Sequence, residues 1–266
     1  MYSILEHYLS TNHILMIGMI VTFILTFFLL EHPFSFLPSD QGRAFAVNGS
    51  LSKGKLRGVG FIFVLCFLIS SVLFLPIDVE YVIYAILLFA MMISGYLDDA
   101  SKTPWNEYKK GLIDLVISVV AVLTYMNFNS TTICFGADEI VIPKALFLIL
   151  GVILIWVSVN VTNCTDGVDG LCASLCSVTL LAFGVLFAPI LQKYAMANFL
   201  FLSVLFAYLY FNSSPSSMLM GDAGSRALGF YIAVIALKST HPFIYILLAA
   251  VMIVDGGIGL VKIALK

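Results

Sequence analysis

Long apolar runs separated by short polar breaks dominate the chain, and they set the first expectation. A helix that crosses a bilayer needs about 20 consecutive, mostly apolar residues at about 1.5 Å rise each. Runs of this kind lie at 13–31, 58–76, 80–97, 111–127, 144–162, 171–190, 194–212, 225–238 and 242–262. They predict an all-α, polytopic integral membrane protein with about nine transmembrane helices, in one domain over residues 1–266. The longest break, about 32–57, holds Pro33, Pro38, Gly42, Asn48, Gly49 and Gly54, which punctuate it as loop. The first run begins near Ile14, without a basic flank or a small-residue cleavage site. It reads as a membrane helix and not as a removable signal.

Composition strengthens this picture. Hydrophobic residues make up 61% of the chain and charged ones 11%, against about 25% charged in globular domains. That much apolar surface calls for a lipid bilayer as solvent. A net charge of −2 and the absence of a basic stripe argue against a nucleic-acid partner. The five cysteines form no CxxC pair, and no histidine sits in an HExxH pattern, so neither zinc nor a dithiol is indicated.

Charge also gives an orientation. With nine spans, one set of flanking segments holds Arg43, Lys53, Lys55, Arg57, Lys102, Lys109, Lys110, Arg226, Lys262 and Lys266, and the other only Lys144, Lys193 and Lys238. Basic residues accumulate on the cytoplasmic side. The first set is therefore expected inside and the N-terminus outside.

On this map the patterned carboxylates share the cytoplasmic face. Gly95-Tyr-Leu-Asp98-Asp99-Ala-Ser-Lys102 puts two carboxylates at a helix end. Neighbouring carboxylates resist joint ionisation without a cation, and Mg2+ takes oxygen ligands and keeps substrate phosphates in its remaining positions. Lys102 supplies a point charge for phosphate. The plain alternative is a solvated helix cap. Asn160-Val-Thr-Asn163-Cys-Thr-Asp166-Gly167-Val-Asp169-Gly170-Leu171 concentrates more polar groups beside the bilayer than a cap requires. Asn212 leads through Leu219 into Met220-Gly221-Asp222-Ala-Gly224-Ser225, a turn entering a helix that can cradle phosphate. Asp255-Gly-Gly-Ile-Gly259 is expected to end a helix, and Lys53–Gly60 is either a headgroup anchor or a phosphate contact. Together these loops supply what metal-assisted phosphoryl transfer needs: oxygen ligands, exposed amides and cations. An ion-coupled transporter is the rival from another class, but such sites lie near the midplane on broken helices.

These motifs resemble those of the polyprenyl-phosphate N-acetylhexosamine-1-phosphate transferases, and among them the phospho-MurNAc-pentapeptide transferases. Asn160–Leu171 is similar to their NxxNxxDGxDGL signature, Met220–Ser225 to MGDxGS, and Asp98–Lys102 to DDxxK. The resemblance implies ten transmembrane helices, a homodimer and the bacterial inner membrane. It implies transfer of phospho-MurNAc-pentapeptide from UDP-MurNAc-pentapeptide to undecaprenyl phosphate, giving lipid I and UMP, with Mg2+. Asp98 and Asp99 would be the catalytic pair, joined by Asp222 as carboxylates facing the metal. Lys53, Lys102 and one of Lys109 and Lys110 would face phosphate. Asn160, Asn163, Asp166, Gly167, Asp169, Asn212 and Leu219 would bind substrate. Relatives that transfer GlcNAc-1-phosphate are the nearest alternative.

Two departures stand out. The family's basic loop reads KGTPTMGG, whereas Lys53–Gly60 keeps the lysine and glycines and loses Thr-Pro-Thr. The resemblance also implies a histidine-bearing loop and a last helix after Lys266, so the chain is expected to be short of the family at its C-terminus.

Overall fold

The computed structural model describes residues 1–32, 34–40, 42, 52–103, 105–136 and 138–264, without the side chains of residues 260 and 262–264. Pro33, Arg43, Asn48, Gly49 and Lys266, and the Lys262 side chain, lie outside the described residues.

The elements run α1 Tyr2–Leu5, α2 Thr11–Glu31, α3 Gly60–Phe74, α4 Val79–Asp99, α5 Glu107–Phe128, β1 Thr132–Phe135, β2 Asp138–Val141, α6 Lys144–Thr165, α7 Leu171–Leu186, α8 Ala188–Leu191, α9 Lys193–Asn212, α10 Gly221–Lys238, α11 Pro242–Leu248 and α12 Ala250–Ala264. Of the described helices, α2, α4, α5, α6 and α9 are long and apolar enough to cross a membrane, and α11 with α12 makes a sixth if the bent pair is one span.

Several expectations need correction. The predicted span 242–262 is broken, with a 76° bend between α11 and α12. The bend lets Gly256 lie against the backbone of Val161 on α6, where a Cβ would stand 2.4 Å from the Val161 carbonyl oxygen. Nor does Asp255–Gly259 end a helix, since α12 runs through it. The predicted span 171–190 stops at Leu186, because Pro189 in the first turn of α8 has no N–H with which to continue α7. The fold is not purely helical either. β1 and β2 pair antiparallel, with Phe135 opposite Asp138. β-branched Thr132, Ile133, Ile140 and Val141 favour the extended form, and Gly136 turns the chain at φ +64°.

α10 is the axis of the bundle. Every residue from Gly221 to Leu237 is buried, which explains how a helix carrying Asp222 and Arg226 lives among apolar neighbours. Helices gain little from hydrophobic burial against one another in lipid, so they associate through small residues that permit close approach. Here α4 and α6 pack most extensively on α10, with α3 and α7 beside them. A Cβ on Gly95 of α4 would stand 2.3 Å from the carbonyl oxygen of Asp222. Outward faces carry large apolar side chains such as Ile17, Ile20, Ile24 and Phe28 of α2, as lipid contact requires.

α4 and α10 run antiparallel, and their two ends differ. One end gathers Asp98, Asp99 and Asp222. The other holds Glu80 and Lys238, paired at 2.9 Å, with Lys238 also donating to Asn129 Oδ1 at 2.7 Å. The patterned acids are therefore at one end of the bundle, and the charges that look unpatterned in sequence form a latch at the other.

Candidate active site

Asp98 and Asp99 close α4 at the start of a short connection to α5. Asn106 caps α5 by accepting from the Tyr108 amide, which lets the polar turn Glu107–Lys110 join the helix. That turn sends Lys110 back toward Asp98, 2.6 Å away. The other Asp98 oxygen accepts from the Trp105 amide at 2.6 Å. Lys109 instead lies over the Trp105 ring, 3.3 Å from its centroid. Of the two adjacent lysines, Lys110 is thus the one at the carboxylates.

The third carboxylate arrives on α10. Gly221 adopts φ +66°, and a Cβ there would stand 2.3 Å from Asp99 Oδ2. Only glycine meets both demands. The turn brings the Ala223 amide to 3.1 Å from Asp99 Oδ2, an anion accepted by the N-terminus of a helix. It also places Asp222 Oδ2 3.3 Å from Lys110 Nζ.

A second cation comes from the loop before α3. Leu56 and Leu219 share backbone bonds, with the Leu219 amide donating to Leu56 O at 2.8 Å and the Val59 amide to Leu219 O at 3.3 Å. This lays Arg57 alongside the Gly221 turn. Its Nε is 2.8 Å from Asp99 Oδ1, its Nη2 3.4 Å from Asp222 Oδ1 and its Nη1 3.6 Å from Asp40 Oδ1. Burial works against the Arg57 guanidinium, but Asp99, Asp222, Asp40 and Asp166 more than offset it and hold its pKa above the usual arginine value.

Of the remaining predicted residues, Asp169, Asn212 and Leu219 form a flank. Ser216 N donates to Asp169 Oδ2 at 3.0 Å. Lys55 Nζ lies 3.7 Å from the same oxygen and donates to Ser216 Oγ at 2.9 Å. Asn212 is buried, accepting from Gly170 N at 3.0 Å and donating to Met218 O at 2.9 Å. It ties two loops together. Leu219 is buried and acts through its backbone. Asn160 donates to Trp156 O on its own helix at 2.7 Å. The Asn163 carbonyl accepts from the Asp166 amide at 3.1 Å, and Gly167 is half-buried in the turn that follows. Lys53 and Lys102 are exposed.

Sequence reasoning did not single out Arg57 as a partner of the carboxylates, nor Asp40, nor the ion pair between Asp114 and Arg226. Arg226 counted there as a basic flank, yet it is 1% exposed inside the bundle. The signal was present: Asp114 and Arg226 interrupt apolar surroundings, and such charges pair when buried.

Three carboxylates and two cations thus share one pocket of charge. Hard carboxylate oxygens suit a divalent cation. Among the described residues, however, no three His, Cys, Asp or Glu side chains converge as a ready metal site, because Arg57 and Lys110 stand between the carboxylates.

A profile of the family described as "Glycosyl transferase family 4" matches residues 81–240, a stretch that includes all three carboxylates and Lys110 but not Arg57. The phospho-N-acetylmuramoyl-pentapeptide-transferase of Treponema pallidum subsp. pallidum is 35% identical over 94% of this chain and 75% of its own length. Those of Halalkalibacterium halodurans and Dictyoglomus turgidum are 28% and 25% identical, covering 92% and 91% of this chain and 81% and 80% of their own. The likeness extends from the charged pocket through nearly the whole helical bundle around it, and the chain belongs to glycosyl transferase family 4, among the phospho-N-acetylmuramoyl-pentapeptide-transferases.

Proposed function

We propose that this chain transfers phospho-MurNAc-pentapeptide from UDP-MurNAc-pentapeptide to undecaprenyl phosphate, giving lipid I and UMP. The observation that carries the reading is Asp222 held between Arg57 and Lys110, beside Asp98 and Asp99, at one end of an apolar bundle. A site at a helix end can meet a water-soluble nucleotide and a lipid phosphate together. We further read the protein as a homodimer of the bacterial inner membrane, with about nine spans in this chain, its N-terminus outside and the site on the cytoplasmic face.

In the one-step route an oxygen of undecaprenyl phosphate attacks the β-phosphorus of the donor. A new P–O bond forms, the bond from that phosphorus to the oxygen of the α-phosphate breaks, and UMP leaves with the electron pair. A phosphate monoester has a second pKa near 6, so at neutral pH little proton removal is needed. Asp98 or Asp99 accepts the proton that remains. Arg57 and Lys110 balance the charge of the incoming phosphates. Asp222 would hold Mg2+, with Asp98 and Asp99 adding oxygens where Arg57 or Lys110 turns from them to the phosphates, and the ion would spread the negative charge of the transferring phosphoryl group. In the two-step alternative an aspartate attacks first and forms an acyl-phosphate.

Incubation with UDP-MurNAc-pentapeptide but no lipid acceptor separates the routes. One equivalent of UMP released per protein would rule out the one-step route, and none is expected.

A further inference from the structure

We infer that Arg57 is a tethered cation that competes with a divalent metal for the Asp99–Asp222 carboxylates, and so sets how tightly the site takes that metal. This rests on the transferase reading and goes beyond it, because Arg57 lies outside the stretch that the family profile matches, residues 81–240.

All four carboxylate oxygens of the pair lie within 3.4 Å of a cation or an amide, although the Asp99 Oδ1–Arg57 Nε contact is not aligned as a hydrogen bond. Asp99 Oδ1 faces Arg57 Nε and Asp99 Oδ2 accepts from the Ala223 amide. Asp222 Oδ1 faces Arg57 Nη2 and Asp222 Oδ2 faces Lys110 Nζ. A metal entering between the two acids must displace at least one of them. The Ala223 amide is fixed by the helix that begins at Gly221. Lys110 is anchored by Asp98 at 2.6 Å.

Arg57 is the more exposed of the two cations, against 16% for the Lys110 side chain, and it has somewhere to go. Its side chain is 33% exposed, on a loop, with Asp40 Oδ1 3.6 Å from Nη1. Asp40 is itself fixed, accepting from Ser52 Oγ and the Gly42 amide. A guanidinium moved off Asp99 and Asp222 keeps this acid as a hinge point and turns its planar fork outward, in the geometry that grips a diphosphate in two places.

The test uses Mn2+ in place of Mg2+, titrated into the full chain in detergent without donor or lipid and read by electron paramagnetic resonance. Arg57→Gln is expected to bind Mn2+ at least tenfold more tightly than the unaltered chain, and Arg57→Lys within about threefold of it. Adding Asp222→Asn to Arg57→Gln should abolish the gain. Equal or weaker binding by Arg57→Gln would overturn the proposal. A second measurement needs no variant: phenylglyoxal modification of Arg57, followed by mass spectrometry, should speed up when Mn2+ is added. An unchanged or slower rate would count equally against it. Neither readout uses transfer, so lipid I formation can succeed while this proposal fails, and the reverse.

Discussion

Asp222 is the residue on which the charge balance of the site turns, because it is the carboxylate that both cations touch. Asp222→Asn removes one charge from a cluster built around it. It is expected to lower kcat by about 100-fold or more, the scale on which single electrostatic groups act in active sites. Lys110→Met should do the same through loss of the cation shared by Asp98 and Asp222. Both are read from initial rates of UMP release at saturating donor. The Asp114–Arg226 pair makes a different prediction. Both side chains are buried, and breaking such a pair from one side costs about 3–5 kcal/mol. Asp114→Leu or Arg226→Met alone should therefore lower the unfolding midpoint in detergent sharply, whereas the double variant should recover most of the loss. The aspartates were legible in the sequence because their motifs have fixed spacing. Arg57 was not: a basic run shows that charge is present, and only the backbone bonds to the Gly221 turn decide which acid it meets.

Helix α10 decides how accurately these groups meet. It carries Asp222 and is enclosed along its length, so its register against α4 fixes the distance between Asp222 and the Asp98–Asp99 pair. Gly95 sits at that contact. Gly95→Ala would drive a Cβ into the Asp222 carbonyl, and overpacking of this kind costs about 1–3 kcal/mol. The expected result is a protein that still inserts and extracts with detergent but turns over far more slowly, seen by comparing gel-filtration profiles with kcat. Hydropathy placed α2, α4, α6 and α9 to within a few residues, since each faces lipid somewhere. It erred where protein replaces lipid. The start of α10 at Gly221 was missed because that turn is polar and buried. The bend at Ala249 was invisible because both sides of it are apolar, and beyond it α12 packs on α6. The β1–β2 hairpin lay in a break read only as a connection.

The whole molecule presents acids and cations at one end and the Glu80–Lys238 latch at the other. Orientation follows from the proposed site being cytoplasmic, and it can be checked directly. In a background lacking the five native cysteines, a cysteine at Tyr8 should react with a membrane-impermeant maleimide added to intact cells. One at Lys102 should react only after the cells are opened. The reverse pattern would place the charged end outside, where UDP-linked donors are not supplied. The central claim is chemical, and the most direct measurement is product analysis of the purified chain with Mg2+, undecaprenyl phosphate and either UDP-MurNAc-pentapeptide or UDP-GlcNAc. Lipid I and UMP in equal amounts from the first donor, with little turnover of the second, are predicted. Preferential turnover of UDP-GlcNAc, or nucleotide release without a lipid product, would contradict the assignment.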